Sequence, residues 1–132
     1  MLKLGQFVTI TGEPTRGYFY FNSDHIGKRE WVSGTRMIRG KRCYQLNAEY
    51  DDCWWDEDNL SKVDDVALES EPTYELGDEV MTDDTASIRK VTSIHVYNGE
   101  FEYELDYEGP FAHEDTLTLH RKAGCTAAYT LF

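Results

Sequence analysis

No apolar stretch in this 132-residue chain approaches the ~20 residues that a membrane-spanning helix needs. The opening ten residues, MLKLGQFVTI, lack the apolar core and cleavage site of a secretory signal, so the expectation is a cytoplasmic protein without membrane contact. Cysteine is scarce: Cys43, Cys53 and Cys125 are odd in number and have no CxxC spacing, which argues against a disulfide framework or a zinc ribbon and suits a reduced compartment. His25, His95, His113 and His120 form no HExxH pair. There is no GxSxG elbow, dinucleotide fingerprint or Walker loop, because Gly27-Lys28 and Gly40-Lys41 both lack the earlier glycine. The acidic run Asp51–Asp58 fails as an EF-hand in every register. Counted from Asp51, the sixth and twelfth places hold Asp56 and Lys62 rather than glycine and glutamate. These absences predict no metal, no cofactor and no catalysis.

What is present is a globular composition, 40% hydrophobic and 14% aromatic, with a net charge of −12. The charge is uneven: residues 1–48 carry +5, residues 49–86 carry −14 and residues 87–132 carry −3. A field of that sign repels nucleic acid and anionic lipid and steers toward a basic partner, although acidity also serves solubility alone.

The most informative pattern is internal. Trp31–Leu46 aligns without a gap on Lys90–Leu105, with Val32/Val91, Gly40/Gly99, Tyr44/Tyr103 and Leu46/Leu105 coinciding. Upstream, Leu4-Gly5 with Val8 matches Leu76-Gly77 with Val80; downstream, Glu57-Asp58 and Leu60 match Glu114-Asp115 and Leu117. Three blocks in one order predict two tandem copies. In the second copy Asn98-Gly99 is a favoured type I′ turn. The pairing it sets places Val96 opposite Phe101, Ile94 opposite Tyr103 and Thr92 opposite Leu105 on one face, with Glu100, Glu102, Glu104 and Asp106 on the other. The first copy repeats this around Arg39-Gly40, with Arg42 in the place of Phe101, which predicts a hairpin tip projecting beyond the core.

Each copy thus reads as an opening strand after a Leu-Gly turn, a central hairpin and a closing strand after Glu57-Asp58 or Glu114-Asp115. That order resembles SH3-like small β-barrels of the KOW and Tudor kind, across both copies. The resemblance implies an all-β protein of two tandem SH3-like barrels packed against each other with little helix, and a habit of binding rather than a reaction. The expected divisions are a barrel at 1–64 with a long first loop, an acidic linker at 65–74, a barrel at 75–121 and a tail at 122–132 docked on a barrel. The first copy is longer by 13 residues, mostly within Thr9–Glu30, a loop that either binds or covers the barrel end.

Three sets of residues are candidates for binding. Glu100, Glu102, Glu104 and Asp106, with Asp52, Asp56, Glu57 and Asp58, offer carboxylates to a basic partner, against the reading that they form an ordinary solvated face. Trp31, Trp54 and Trp55 with Tyr18 or Tyr20 offer a Tudor-like aromatic cage for a cationic side chain. Strand alternation would turn one of Trp54 and Trp55 inward, to pack in the core, and the other outward. Arg36, Arg39, Lys41 and Arg42 offer a basic hairpin to phosphates, against neutralisation by the acidic 49–86 segment. In size, acidity and lack of active-site motifs the chain also resembles small phage-encoded inhibitors that occupy the nucleic-acid channel of a nuclease or similar enzyme. The leading expectation is therefore a non-catalytic protein that presents carboxylates in place of phosphates to a basic, nucleic-acid-handling protein. A KOW-like nucleic-acid-binding module and a structural adaptor are the alternatives.

Overall fold

The structure, a computed structural model, describes residues 1–16, 22–47, 53–84 and 86–124. Among these the regular structure is all strand, apart from three single 3-10 turns at Ser23–His25, Glu57–Asn59 and Glu114–Thr116. No helix of the described residues is long and apolar enough to cross a membrane. The strands are β1 (Phe7–Ile10), β2 (Arg29–Ile38), β3 (Lys41–Leu46), β4 (Trp55–Asp56), β5 (Leu60–Lys62), β6 (Glu79–Thr82), β7 (Ile88–Tyr97), β8 (Glu100–Leu105), β9 (Glu108–His113) and β10 (Leu117–Arg121). All pair antiparallel, in the path β10-β6-β7-β2-β1-β5, with β3-β4 branching from β2 and β8-β9 from β7.

The repeat is preserved strand by strand. In the first half Val8 opposes Glu30 and Lys62, and Thr35 opposes Tyr44. In the second, Val80 opposes Arg89 and Leu119, and Ile94 opposes Tyr103. Both hairpins turn where expected, with Arg39-Gly40 at φ 52° and 79° and Asn98-Gly99 at 50° and 77°. Only residues that tolerate the left-handed region sit easily there, which is why glycine holds the second position in both.

One register differs from expectation. Leu105 opposes Val91, not Thr92, because the ladder slips between Val91 and Ser93, and the first half slips identically between Val32 and Gly34. The extra residue is a bulge that bends a ten-residue strand so that its first part pairs with β6 and its second with β8. The bulged hydroxyls are used alike: Ser33 donates to the Gln45 carbonyl at 3.3 Å and Thr92 to the Glu104 carbonyl at 3.2 Å.

The core is one continuous apolar cluster through both halves, including Val8, Ile10, Val32, Leu46 and Trp55 from the first and Val80, Val91, Ile94 and Leu105 from the second. Tyr44 and Tyr103 are buried at equivalent places and do the same work. The Tyr44 hydroxyl accepts the Leu2 N–H at 3.1 Å and the Tyr103 hydroxyl accepts the Tyr74 N–H at 3.3 Å. Tyr74 is buried, so the end of the presumed 65–74 linker belongs to the core of the second half. The first hairpin's tip does not wholly leave the core either: Arg42 stands half-buried in the place of Phe101, and Met37 opposite it packs on the apolar cluster. Of the tail, Lys122 and Ala123 are tied to Asp78, and residues 125–132 lie outside the described residues.

The halves meet through β2 and β7, where Gly34 opposes His95, Thr35 opposes Ile94 and Arg36 opposes Ser93. By the repeat alignment Gly34 corresponds to Ser93, Thr35 to Ile94 and Arg36 to His95. Thr35–Ile94 is therefore its own mirror and Gly34–His95 is the mirror of Arg36–Ser93, so the chain is a pseudo-dimer about a two-fold axis at Thr35–Ile94.

Candidate partner-binding site

Side chains alternate across the β2–β7 junction, so Arg36 and His95 stand on the face opposite Thr35 and Ile94. They form the middle of a cleft of about 590 Å³ between the halves, walled by Trp31, Trp54, Tyr97 and Phe111 and edged by Glu102 and Glu104. The His95 ring lies between Trp54 (5.8 Å, edge-on) and Phe111 (4.7 Å), which are themselves equivalent in the repeat. The Arg36 guanidinium lies 5.0 Å from the Tyr107 ring and 6.0 Å from that of Trp54, and it pairs with Glu104 at 3.7 Å. Its Nε is buried with no acceptor among the described residues. Tyr107 follows Asp106 in the β8–β9 turn, at φ 60° and 53°, a strained setting for an aromatic residue. Its N–H is anchored on the Thr92 hydroxyl at 2.9 Å.

The carboxylate row of β8 is thereby divided. Glu104 faces Arg36 and the Thr92 hydroxyl, with 14% of its side chain exposed, and Glu102 is nearly as covered at 18%. Glu100 is exposed, and His113 stands 4.0 Å from both Glu100 and Glu102. Asp106 pairs with Arg89 at 3.2 Å. The row expected to stand without cations thus meets one at two of its members, Glu104 and Asp106, because the junction and the turn to β9 bring Arg36 and Arg89 alongside, while Glu100 and Glu102 have the imidazole of His113 as their neighbour. In the first half Asp56 caps the Glu57–Asn59 turn. The Asp58 N–H donates to it at 3.1 Å and Lys41 at 3.1 Å, which together hold its carboxyl below the usual range, and the carboxylate in turn raises the Lys41 ammonium. Glu57 and Asp58 are exposed, and Asp52 lies outside the described residues.

Trp54 and Trp55 turn to opposite faces, Trp55 into the core and Trp54 into the cleft, but neither is open to solvent. Trp55 is fully buried and donates its Nε1–H to the Gly12 carbonyl at 3.1 Å; Trp54 is 7% exposed, with the His95 ring of the second half and the Arg36 guanidinium against its indole. The tryptophan that alternation turns away from the core is Trp54, but it is covered in the cleft, and Trp31 alone of the three is half-exposed. Tyr18 and Tyr20 lie outside the described residues. The aromatic residues do collect around a cation, but it is the chain's own Arg36. Of the basic hairpin, Arg36 is in the cleft and Lys41 is paired, which leaves Arg39 in the turn as its one fully exposed arginine and Arg42 half-buried.

A second concavity, of about 770 Å³, is acidic. Glu71, Glu100, Glu114 and Asp115 line it, with His113 its one basic group among the described lining residues. Glu114 is structural as well, accepting the Tyr103 hydroxyl and, at 2.7 Å, the Thr73 N–H. Glu71, Glu114, Asp115, Tyr107 and Phe111 were not legible as site residues in the sequence. Extending the Glu57/Glu114 alignment three residues upstream pairs Trp54 with Phe111, and that signal would have found the last of them. Among the described residues no three of His, Cys, Asp and Glu converge as a metal site requires. No family model, curated protein or solved structure matches this chain.

Proposed function

We propose that this chain is a non-catalytic binding protein, two tandem SH3-like small barrels of the KOW or Tudor kind, that engages a basic, nucleic-acid-handling protein by presenting carboxylates in place of phosphates. The duplicated register and the bent strands shared between neighbours support the barrel reading. The observation that carries the function is the distribution of exposed charge. Two of the four basic residues of the first hairpin, Arg36 and Lys41, are paired within the chain with Glu104 and Asp56, while Glu100 and Asp115 stand exposed around the acidic groove with Glu71 beside them. Glu71 is met by Lys3 at 3.7 Å, but both side chains are solvated, so that pair is weak.

The test begins with capture of a partner on the immobilised protein, elution by salt and identification of the eluted protein. Affinity of the identified partner should then fall at least about tenfold between about 50 and 200 mM salt, as it does when phosphates are displaced. The triple change Glu71→Lys, Glu100→Lys, Asp115→Lys should abolish binding without unfolding, since all three side chains point into solvent. Salt-independent affinity, or binding that survives the triple change, refutes the proposal. A gel shift by the chain itself, lost on reversal of Arg39 and Arg42, would assign the function to the basic hairpin instead.

A further inference from the structure

The two halves are alike in register but not in what covers their outer edges. In the first half eighteen residues separate β1 from β2, against five between β6 and β7. The described part of that insertion runs along β4. The Thr15 and Arg16 N–H groups donate to the Trp54 carbonyl at 2.7 and 3.2 Å, the Trp54 N–H donates to the Arg16 carbonyl at 2.9 Å, and the Asp56 N–H donates to the Thr15 hydroxyl at 3.2 Å. The chain thus adds a bridge of its own, with a basic residue opposite Trp54, to the outer edge of the first half.

In the second half the same edge belongs to β9. Tyr103 opposes Ala112 and Glu102 opposes His113, matching Tyr44–Trp55 and Cys43–Asp56, so the outward peptide groups are those of Phe111 and His113. The short β6–β7 connection folds back on itself, with the Ala86 N–H on the Thr82 carbonyl at 2.9 Å. No described strand pairs along the outer edge of β9, and Phe111 is 44% exposed where Trp54 is 7%. Carboxylates flank this edge: Glu108 at its start, Glu114 and Asp115 just past its end, and Glu100 and Glu102 on the neighbouring strand. Open edges are a liability that folds ordinarily blunt or cover.

We infer that the outer edge of β9 accepts an extended basic segment of the partner as an added strand, in the place that Thr15–Arg16 fills on the first half. The inference rests on the acidic-surface reading above and says which backbone the partner pairs with. Main-chain bonds to Phe111 and His113 set the register, and the flanking carboxylates select arginine or lysine at alternate positions of the segment.

The probe is the eight-residue peptide acetyl-(Thr-Arg)4-amide, added to the full isotope-labelled chain at low salt, with amide exchange followed by NMR. Saturating peptide should slow exchange of the Phe111 and His113 amides at least about tenfold. His113→Pro removes one outward N–H at a residue whose φ of −80° suits proline, whereas His113→Ala keeps it. The proline variant should bind about three- to tenfold more weakly than the alanine variant, the worth of one backbone hydrogen bond. Persisting protection of the Tyr103 and Ala112 amides shows that the proline variant is folded, and the wild-type protection data need no variant. Salt-sensitive binding that leaves the Phe111 amide unprotected, or equal affinities of the two variants, overturns strand addition and leaves the acidic-surface reading standing. Failure of the peptide to bind at low salt overturns the acidic-surface reading itself.

Discussion

Removing one hydroxyl, in Tyr103→Phe, tests how the second half is held together. The ring is fully buried, and its oxygen takes the Tyr74 N–H at 3.3 Å while giving its proton to Glu114. Phenylalanine keeps the packing, so no cavity larger than an oxygen opens. Glu114 keeps the Thr73 N–H and reaches solvent, which leaves the buried Tyr74 N–H as the main loss. A buried donor without a partner costs about 1–3 kcal/mol. For a chain of this size that is a fall in Tm of about 4–12 °C, measurable by calorimetry alongside denaturant unfolding. Tyr44→Phe is the internal comparator. It strands the Leu2 N–H, which lies one residue from the terminus and can rehydrate by fraying, so its loss should be smaller. The hydroxyl also carries a pH signature. Burial, and then the hydrogen bond to Glu114, raise the Tyr103 pKa well above its ordinary value, so the folded chain keeps a proton that the unfolded chain releases above pH ~10. Stability should therefore fall as pH rises past that point, and fall less steeply in Tyr103→Phe. A variant within about 0.5 kcal/mol of wild type, with an unchanged alkaline limb, refutes the assigned role.

Asp78 and Gln6 occupy equivalent buried places, and both accept a turn N–H, from Glu75 at 2.9 Å and from Lys3 at 3.0 Å. Burial opposes ionisation of Asp78, but the Glu75 and Ala123 N–H groups and Lys122 outweigh it and leave its pKa lowered. Its contribution is present above the unfolded pKa of ~4 and is lost as pH falls through the folded value. Asp78→Ala should cost about 2–4 kcal/mol at neutral pH and progressively less in acid, whereas Gln6→Ala should cost less and show no acid dependence, both read from urea midpoints against pH. Gly34→Ala places a methyl 2.8 Å from the His95 Nδ1 at the junction of the halves. It should destabilise by about 1–3 kcal/mol and change Trp54 fluorescence, since His95 meets that ring edge-on; an unperturbed spectrum would show that the junction yields freely.

Much of the strand plan was legible in the sequence because it rests on local signals. The alternation from Ile94 to Leu105, the turns at Arg39-Gly40 and Asn98-Gly99, and the Glu57/Glu114 blocks each report a constraint within a few residues. β9 was not legible: Glu-Gly-Pro-Phe-Ala-His has no alternation, and a proline is tolerated there because the strand lies at an edge. The bulges at Ser33 and Thr92 were also hidden, since an extra residue matters only when the partner strand is known. The candidate site was read less well. Glu100, Glu102 and Glu104 do share one face of β8, whereas Asp106 falls in the turn to β9, and which of the four meet solvent depended on Arg36, Arg89 and His113 arriving from other strands.

By itself, the sequence determined an all-β chain in two copies, the places of its hairpin turns, its inward-facing residues apart from Thr92 at the bulge, and its excess of negative charge. These follow from period-two patterning, turn chemistry and composition, which act over short distances. Only the tertiary structure decided that the copies join edge to edge about Thr35–Ile94, and that Trp54 is covered while Phe111 is not. It also decided that Arg36 is spent on Glu104, whereas Glu100 and Asp115 face solvent. Those outcomes belong to pairs of residues far apart in the chain, and their charges and surfaces acquire an environment only when the halves pack.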